Sequence, residues 1–133
     1  MKNIFVLVVL VFALFGCSSD DSSSRSSNED SSELRIRLSN ASKFNFQNIT
    51  VNTTTGNVNF ENVNSGQKTK YKGFSVAYSY AFVELQIDGK TYTLQPIDYV
   101  GETPLEKGSY TYEITANDSQ NQYGKLNLKL IKD

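Results

Sequence analysis

A chain of 133 residues with thirteen basic and fourteen acidic side chains has room for one sizeable domain plus flanking segments, and its near-neutral balance speaks against nucleic acid as a partner. It contains no His and a single Cys, Cys17. An intramolecular disulfide, a thiolate metal cluster, the usual zinc sites and the Ser-His-Asp or Cys-His nucleophile systems therefore cannot be built from this chain alone. Carboxylate pairs or a Ser-Lys pair remain for catalysis, but no motif assembles either, so the expectation is a protein that is not an enzyme and uses no metal or cofactor.

Lys2 precedes an unbroken apolar run from Ile4 to Phe15, too short to span a bilayer comfortably, and the small Gly16 stands just before the polarity changes. That pattern reads as a cleaved export signal over residues 1–16. Leu14-Phe15-Gly16-Cys17 resembles the bacterial lipoprotein box, which implies lipid on Cys17 and a membrane anchor through it. Ser18, Ser19, Asp20 and Asp21 follow, and this acidic start resembles the surface-export signal of Bacteroidota lipoproteins. The resemblance implies attachment to the outer membrane with the rest of the chain exposed at the cell surface. Between residues 18 and 32 there are nine Ser and no apolar residue, so residues 17–33 read as a flexible acidic tether. Its r.m.s. span is about 20 to 24 Å on Gly/Ser-chain statistics.

The period becomes two at residue 34. Leu34, Ile36 and Leu38 share one strand face, with Arg35 and Arg37 on the other. After a turn at Asn40-Ala41-Ser42, Phe44 and Phe46 open a second strand whose apolar parity shifts to Ile49 and Val51, which requires a bulge near Gln47 and Asn48. Residues 53–57 form the next turn, and Val58 and Phe60 start a third strand. Asn64-Ser65-Gly66 turns again before a fourth over residues 68–74. There Lys68, Lys70 and Lys72 alternate with Thr69 and Tyr71, a basic stripe suited either to anionic head groups and glycans or to keeping an exposed edge from pairing. The second reading is preferred.

The clearest local signal is a hairpin over residues 80–95. Ala81, Val83, Leu85 and Ile87 alternate up to Asp88-Gly89, a two-residue type I′ turn that sets Leu85 opposite Tyr92 and Val83 opposite Leu94. Tyr80 and Phe82 fall on the second face, as a binding patch or as packing beneath a loop. Pro96 ends the run, and residues 97–107 show neither period. So long a loop in so small a domain is a place to look for function. Asp98 and Glu102 offer oxygens and Tyr99 a stacking ring, yet EF-hand spacing is lacking and no metal is assigned. The loop is expected to cross between two sheets, with Ile97, Val100 and Leu105 plugging the end of the core.

A last hairpin follows, with Tyr110, Tyr112 and Ile114 alternating on one strand and Leu126, Leu128 and Leu130 on the other. Thr111, Glu113, Lys125, Asn127 and Lys129 are expected to point outward. Seven or eight short strands without crossover helices specify an all-β fold, an antiparallel β-sandwich of immunoglobulin-like or transthyretin-like topology over residues 34–133. With Gln95-Pro96-Ile97-Asp98-Tyr99 and Gly101-Glu102-Thr103-Pro104, this domain resembles the small single-domain surface lipoproteins of Bacteroidota. The resemblance brings no function with it. The functional expectation is a lipid-anchored, non-catalytic envelope module holding a glycan, a peptide or a partner protein, with Tyr80, Phe82, Asp98, Tyr99 and Glu102 as candidate binding residues. The alternative is a structural accessory subunit of a larger outer-membrane complex.

Overall fold

The computed structural model describes residues 33–133. The export signal, Cys17 and the Ser18 to Asp21 motif lie outside the described residues. Eight strands run in chain order: β1 (Leu34–Asn40), β2 (Gln47–Asn52), β3 (Asn57–Phe60), β4 (Lys72–Phe74), β5 (Phe82–Ile87), β6 (Lys90–Leu94), β7 (Gly108–Ala116) and β8 (Leu126–Lys132). They form two four-stranded sheets, ordered β4-β1-β7-β8 and β3-β2-β5-β6. This is the expected β-sandwich. All neighbouring pairs are antiparallel except β1 with β7, which run parallel from Leu34 opposite Gly108 to Asn40 opposite Ile114.

That order separates the two topologies left open by the sequence. In an immunoglobulin sandwich the first strand shares a sheet with the second, fourth and fifth. Here β1 shares one with β4, β7 and β8 while β2 lies in the other sheet, which leaves the transthyretin-like arrangement.

Periodicity explains the core. Along β1 the inward residues Leu34, Ile36, Leu38 and Asn40 are buried and the outward ones half-buried. Ile36, Leu38, Val51, Val83, Leu85, Tyr112 and Ile114 are fully shielded between the sheets, each aliphatic side chain contributing about 1.5–3 kcal/mol by leaving water. The parity change in β2 falls where expected: the β2–β5 register shifts between Gln47 and Thr50, and Asn48 takes φ 51° there. At the β5–β6 turn Asp88 and Gly89 have φ of 50° and 79°, as a type I′ turn demands. Leu85 faces Tyr92 and Val83 faces Leu94. Buried Asn40 is accounted for by its turn, donating to the carbonyl oxygens of Phe44 and Val63 and accepting from Ser42. Among the described residues no buried side-chain nitrogen or oxygen lacks a partner.

Four expectations are corrected. The fourth strand is confined to Lys72–Phe74, joined only by a lone bridge of Lys68 to Ser39. It is an edge strand, and the Lys72 ammonium closes the flank by donating to the Asn59 carbonyl and lying 5.4 Å from the Phe60 ring centroid. Thr111 and Lys125, expected outside, are buried. Thr111 is covered by Arg37 and Asp133, which bond to its hydroxyl. Lys125, one residue ahead of β8, carries its ammonium between the rings of Phe44 and Tyr92, 4.3 and 5.0 Å from their centroids. Finally, Ile97 and Val100 do not plug the core: they are 100% and 88% exposed. The loop does cross between sheets, but of the three only Leu105 packs against the core.

Candidate functional site

The connection from β6 to β7 leaves one sheet for the other, and its first half is held by tyrosines. Pro96 cannot donate to a ladder and ends β6. Tyr99 then turns inward onto Tyr78, with ring centroids 4.7 Å apart and an interplanar angle of 26°. The Tyr99 hydroxyl donates to the Asn52 carbonyl at 3.4 Å, and burial raises the pKa of that hydroxyl above its ordinary value. Tyr78 is tied in turn, because the hydroxyl of core residue Tyr112 donates to its carbonyl oxygen at 2.7 Å. The loop tip is closed by the Val100 N–H donating to Asp98 Oδ1 at 3.1 Å and the Glu102 N–H donating to the Tyr99 carbonyl at 3.0 Å. Gly101 supplies the φ of 82° needed there. Farther on, the Leu105 N–H donates to the Ala77 carbonyl at 2.8 Å. The tip is thus fixed at its base while Ile97 and Val100 project from it.

Two hollows flank this loop. The larger, about 550 Å³, is floored by the outer face of the β3-β2-β5 sheet and walled by Phe82, Gln95, Pro96 and Tyr99. Its floor is a ladder of amides and hydroxyls, because outward positions of β2 and β3 are Thr or Asn. Thr50 donates to Asn59 Oδ1 at 3.0 Å and Asn52 to Asn57 Oδ1 at 3.0 Å, while the Thr54 N–H donates to Asn52 Oδ1 at 2.8 Å. Glu84 is the one carboxylate along it. The second hollow, about 380 Å³, lies on the other side of Gln95 and Pro96 and is lined by Tyr80, Leu94, Ile97, Asp98 and Leu128.

The five candidate binding residues are therefore divided. Phe82 and Tyr99 meet in the larger groove, and Tyr80 and Asp98 meet in the smaller one. Glu102 lines neither, and its backbone serves the turn. Tyr99 also spends one ring face on Tyr78 rather than keeping both for a ligand. Among the described residues no group of His, Cys, Asp or Glu side chains is placed to hold a metal ion. The groove residues the sequence reading missed are Thr50, Asn52, Asn57, Glu84 and Gln95. Their signal was present as an outward-facing period of two made of amides and hydroxyls at 50, 52, 57 and 59.

A second polar cluster covers the outer face of the other sheet and is internally satisfied. Arg35 donates to Ser109 Oγ at 2.8 Å and Arg37 to Thr111 Oγ1 at 3.0 Å, and both guanidinium groups lie over the Tyr71 ring, 5.2 and 4.8 Å from its centroid. Tyr71 and Thr111 donate to the Asp133 carboxylate at 2.6 and 2.8 Å. Burial opposes ionisation of Asp133, but these hydrogen bonds, with Arg37 nearby, outweigh it and hold its pKa below the ordinary 3.8. The arrangement braces β1, β7 and the end of β8 against one another.

No protein-family model and no curated protein sequence matches the chain. Among solved structures it is similar to the NMR structure of a protein from Eubacterium rectale, with 16% identity over 76% of this chain and 88% of that one and a TM-score of 0.47.

Proposed function

We propose that the chain is a lipid-anchored, non-catalytic module of the cell envelope that holds a glycan, a peptide or a partner protein on the surface around residues 95–102. The observation that supports it most is the convergence of Phe82, from β5, and Tyr99, from the crossing loop, on one groove beside a loop tip already fixed by hydrogen bonds. A surface organised before its partner arrives loses less entropy on binding than one that must order. The membrane part of the proposal rests on Lys2, the apolar run to Phe15, and Leu14-Phe15-Gly16-Cys17. Placement on the outer membrane facing the medium rests on Ser18, Ser19, Asp20 and Asp21.

The accessory-subunit reading has its own support in Ile97 and Val100, which are 100% and 88% exposed on a loop tip that is tied down rather than free to fold them away. Aliphatic side chains presented in this way favour contact with an apolar partner surface. A photo-crosslinking amino acid placed at position 97, with position 129 on the far sheet as control, tests both readings in intact cells. Capture of a discrete neighbour at 97 but not at 129 supports the working surface, and an integral outer-membrane protein as that neighbour favours the subunit. Equal capture at both positions, or substrate turnover by the purified protein, refutes the proposal.

A further inference from the structure

We infer that the groove beneath Phe82 and Tyr99 is a binding site for a neutral oligosaccharide, a step that rests on the binding-module reading and gives it a ligand class. The chemistry of the lining selects the class. Thr50, Asn52, Thr54, Asn57 and Gln95 are all neutral hydrogen-bonding side chains, each able to accept and donate. Rings from Phe82, Pro96 and Tyr99 stand beside them. A pyranose matches this combination: its hydroxyl rim needs closely spaced donors and acceptors, and its C–H face needs an apolar surface. No Lys or Arg lines the groove and its one carboxylate is Glu84, so an anionic sugar, a phosphate or a nucleotide would meet repulsion without a counter-charge.

Topology argues against an extended peptide in the same place. Peptides that add to a sheet do so at an edge, where backbone groups are unpaired. The groove lies on the outer face of β3, β2 and β5, with the edge strand β3 supplying only Asn57. Along β2 and β5, both interior strands, only side chains are offered. They are also pre-set: Asn52 and Asn57 bond to each other, Asn52 is further held by the Thr54 N–H, and Tyr99 is fixed on Tyr78. The amide protons of Asn57 make no hydrogen bond among the described residues and remain available to a ligand hydroxyl. A volume of about 550 Å³ falls within the range of small-molecule sites.

The test is calorimetric titration of the full chain, purified in a detergent without a sugar head group, against neutral hexasaccharides (maltohexaose, laminarihexaose, xylohexaose, mannohexaose) and an anionic oligogalacturonate. Saturable binding of at least one neutral probe is expected, with weaker or no binding of the anionic one. Phe82→Leu keeps apolar volume but removes the ring and should weaken binding about tenfold, and Gln95→Ala, at an exposed position, about threefold. Lys129→Ala, exposed on β8 of the other sheet, should leave affinity within about twofold. Thermal melts of each variant separate lost binding from lost fold. Failure of every neutral probe to bind overturns the inference, as does preference for the anionic probe or indifference to both Phe82→Leu and Gln95→Ala. Capture of a protein neighbour at position 97 together with no sugar binding would sink the oligosaccharide while leaving the binding-module reading standing.

Discussion

Lys125→Met asks whether a buried charge holds this sandwich together or weakens it. Lys125 is 2% exposed. Its ammonium donates to the carbonyl oxygens of Asn117 and Ser119 at 2.7 and 3.0 Å and lies 4.3 Å from the Phe44 centroid and 5.0 Å from that of Tyr92. Desolvating an ammonium costs several kcal/mol. Against that stand two charge-assisted hydrogen bonds of about 1.5–3 kcal/mol each and two ring contacts of about 0.5–2 kcal/mol each. Met preserves the reach and most of the apolar stem but leaves both carbonyls to find water, which the polar loop around them permits in part. The balance predicts a net loss of about 1–3 kcal/mol, or a fall in Tm of about 5–15 °C for a domain of this size. Urea titration and thermal melts of Lys125→Met beside the exposed control Lys129→Met, expected within about 0.5 kcal/mol of wild type, supply the measurement. A double-mutant cycle with Phe44→Leu would show coupling. Equal or greater stability of Lys125→Met would mean that desolvation dominates and that the ammonium is tolerated rather than used.

Leu85→Ala, at a fully buried site opposite Tyr92, should cost about 2–5 kcal/mol in urea unfolding, while Glu84→Ala on the outer face should be mild. Gly89→Ala puts a Cβ where φ is 79°, so a loss of about 1–2 kcal/mol is expected although nothing lies within 4 Å of the added atom. Asp133 titrates below its ordinary 3.8, so its stabilisation is present above that value and is lost as pH falls through the lower, folded-state pKa. Asp133→Asn should flatten the acid limb of stability, measured from neutrality down to about pH 2.5, and an unchanged limb would show that the brace on Thr111 and Tyr71 carries no ionic component. Cys17→Ser should abolish partitioning into detergent or leave an uncleaved precursor, and unchanged partitioning would end the lipoprotein proposal.

Much of the fold was legible because hydrophobic parity and turn chemistry acted together. The β5–β6 hairpin is the clearest instance: Asp88-Gly89 fixes the loop at two residues, and only one register then places Val83, Leu85, Tyr92 and Leu94 on the same side. The bulge in β2 was legible for the same reason, since Phe46 and Ile49 cannot share a face without one extra residue. The parallel pairing of β1 with β7 was not legible. Nothing local distinguishes Leu34-Arg35-Ile36 from a strand that pairs with its neighbour in sequence, and the choice is made by packing across a separation of 74 residues.

Parity failed where a side chain lies at the end of a strand or beneath another side chain. Lys125 obeys the outward parity of β8 on paper, but it precedes the strand, where the pleat no longer dictates direction and a long stem can reach aromatic rings and loop carbonyls. Thr111 is outward in direction yet buried because Arg37 and Asp133 close over it. Ile97 and Val100 failed in the opposite sense. Hydrophobicity alone suggested a plug, but Tyr99 between them is larger and aromatic, has Tyr78 to stack on, and can place its hydroxyl against the Asn52 carbonyl. Once Tyr99 turns inward, the tight turn made by Asp98, Val100 and Glu102 leaves the two aliphatic neighbours facing water. Turning one aromatic residue inward exposed the pair, and the same turn built the wall of the polar groove, so both candidate contact features trace to the packing of Tyr99.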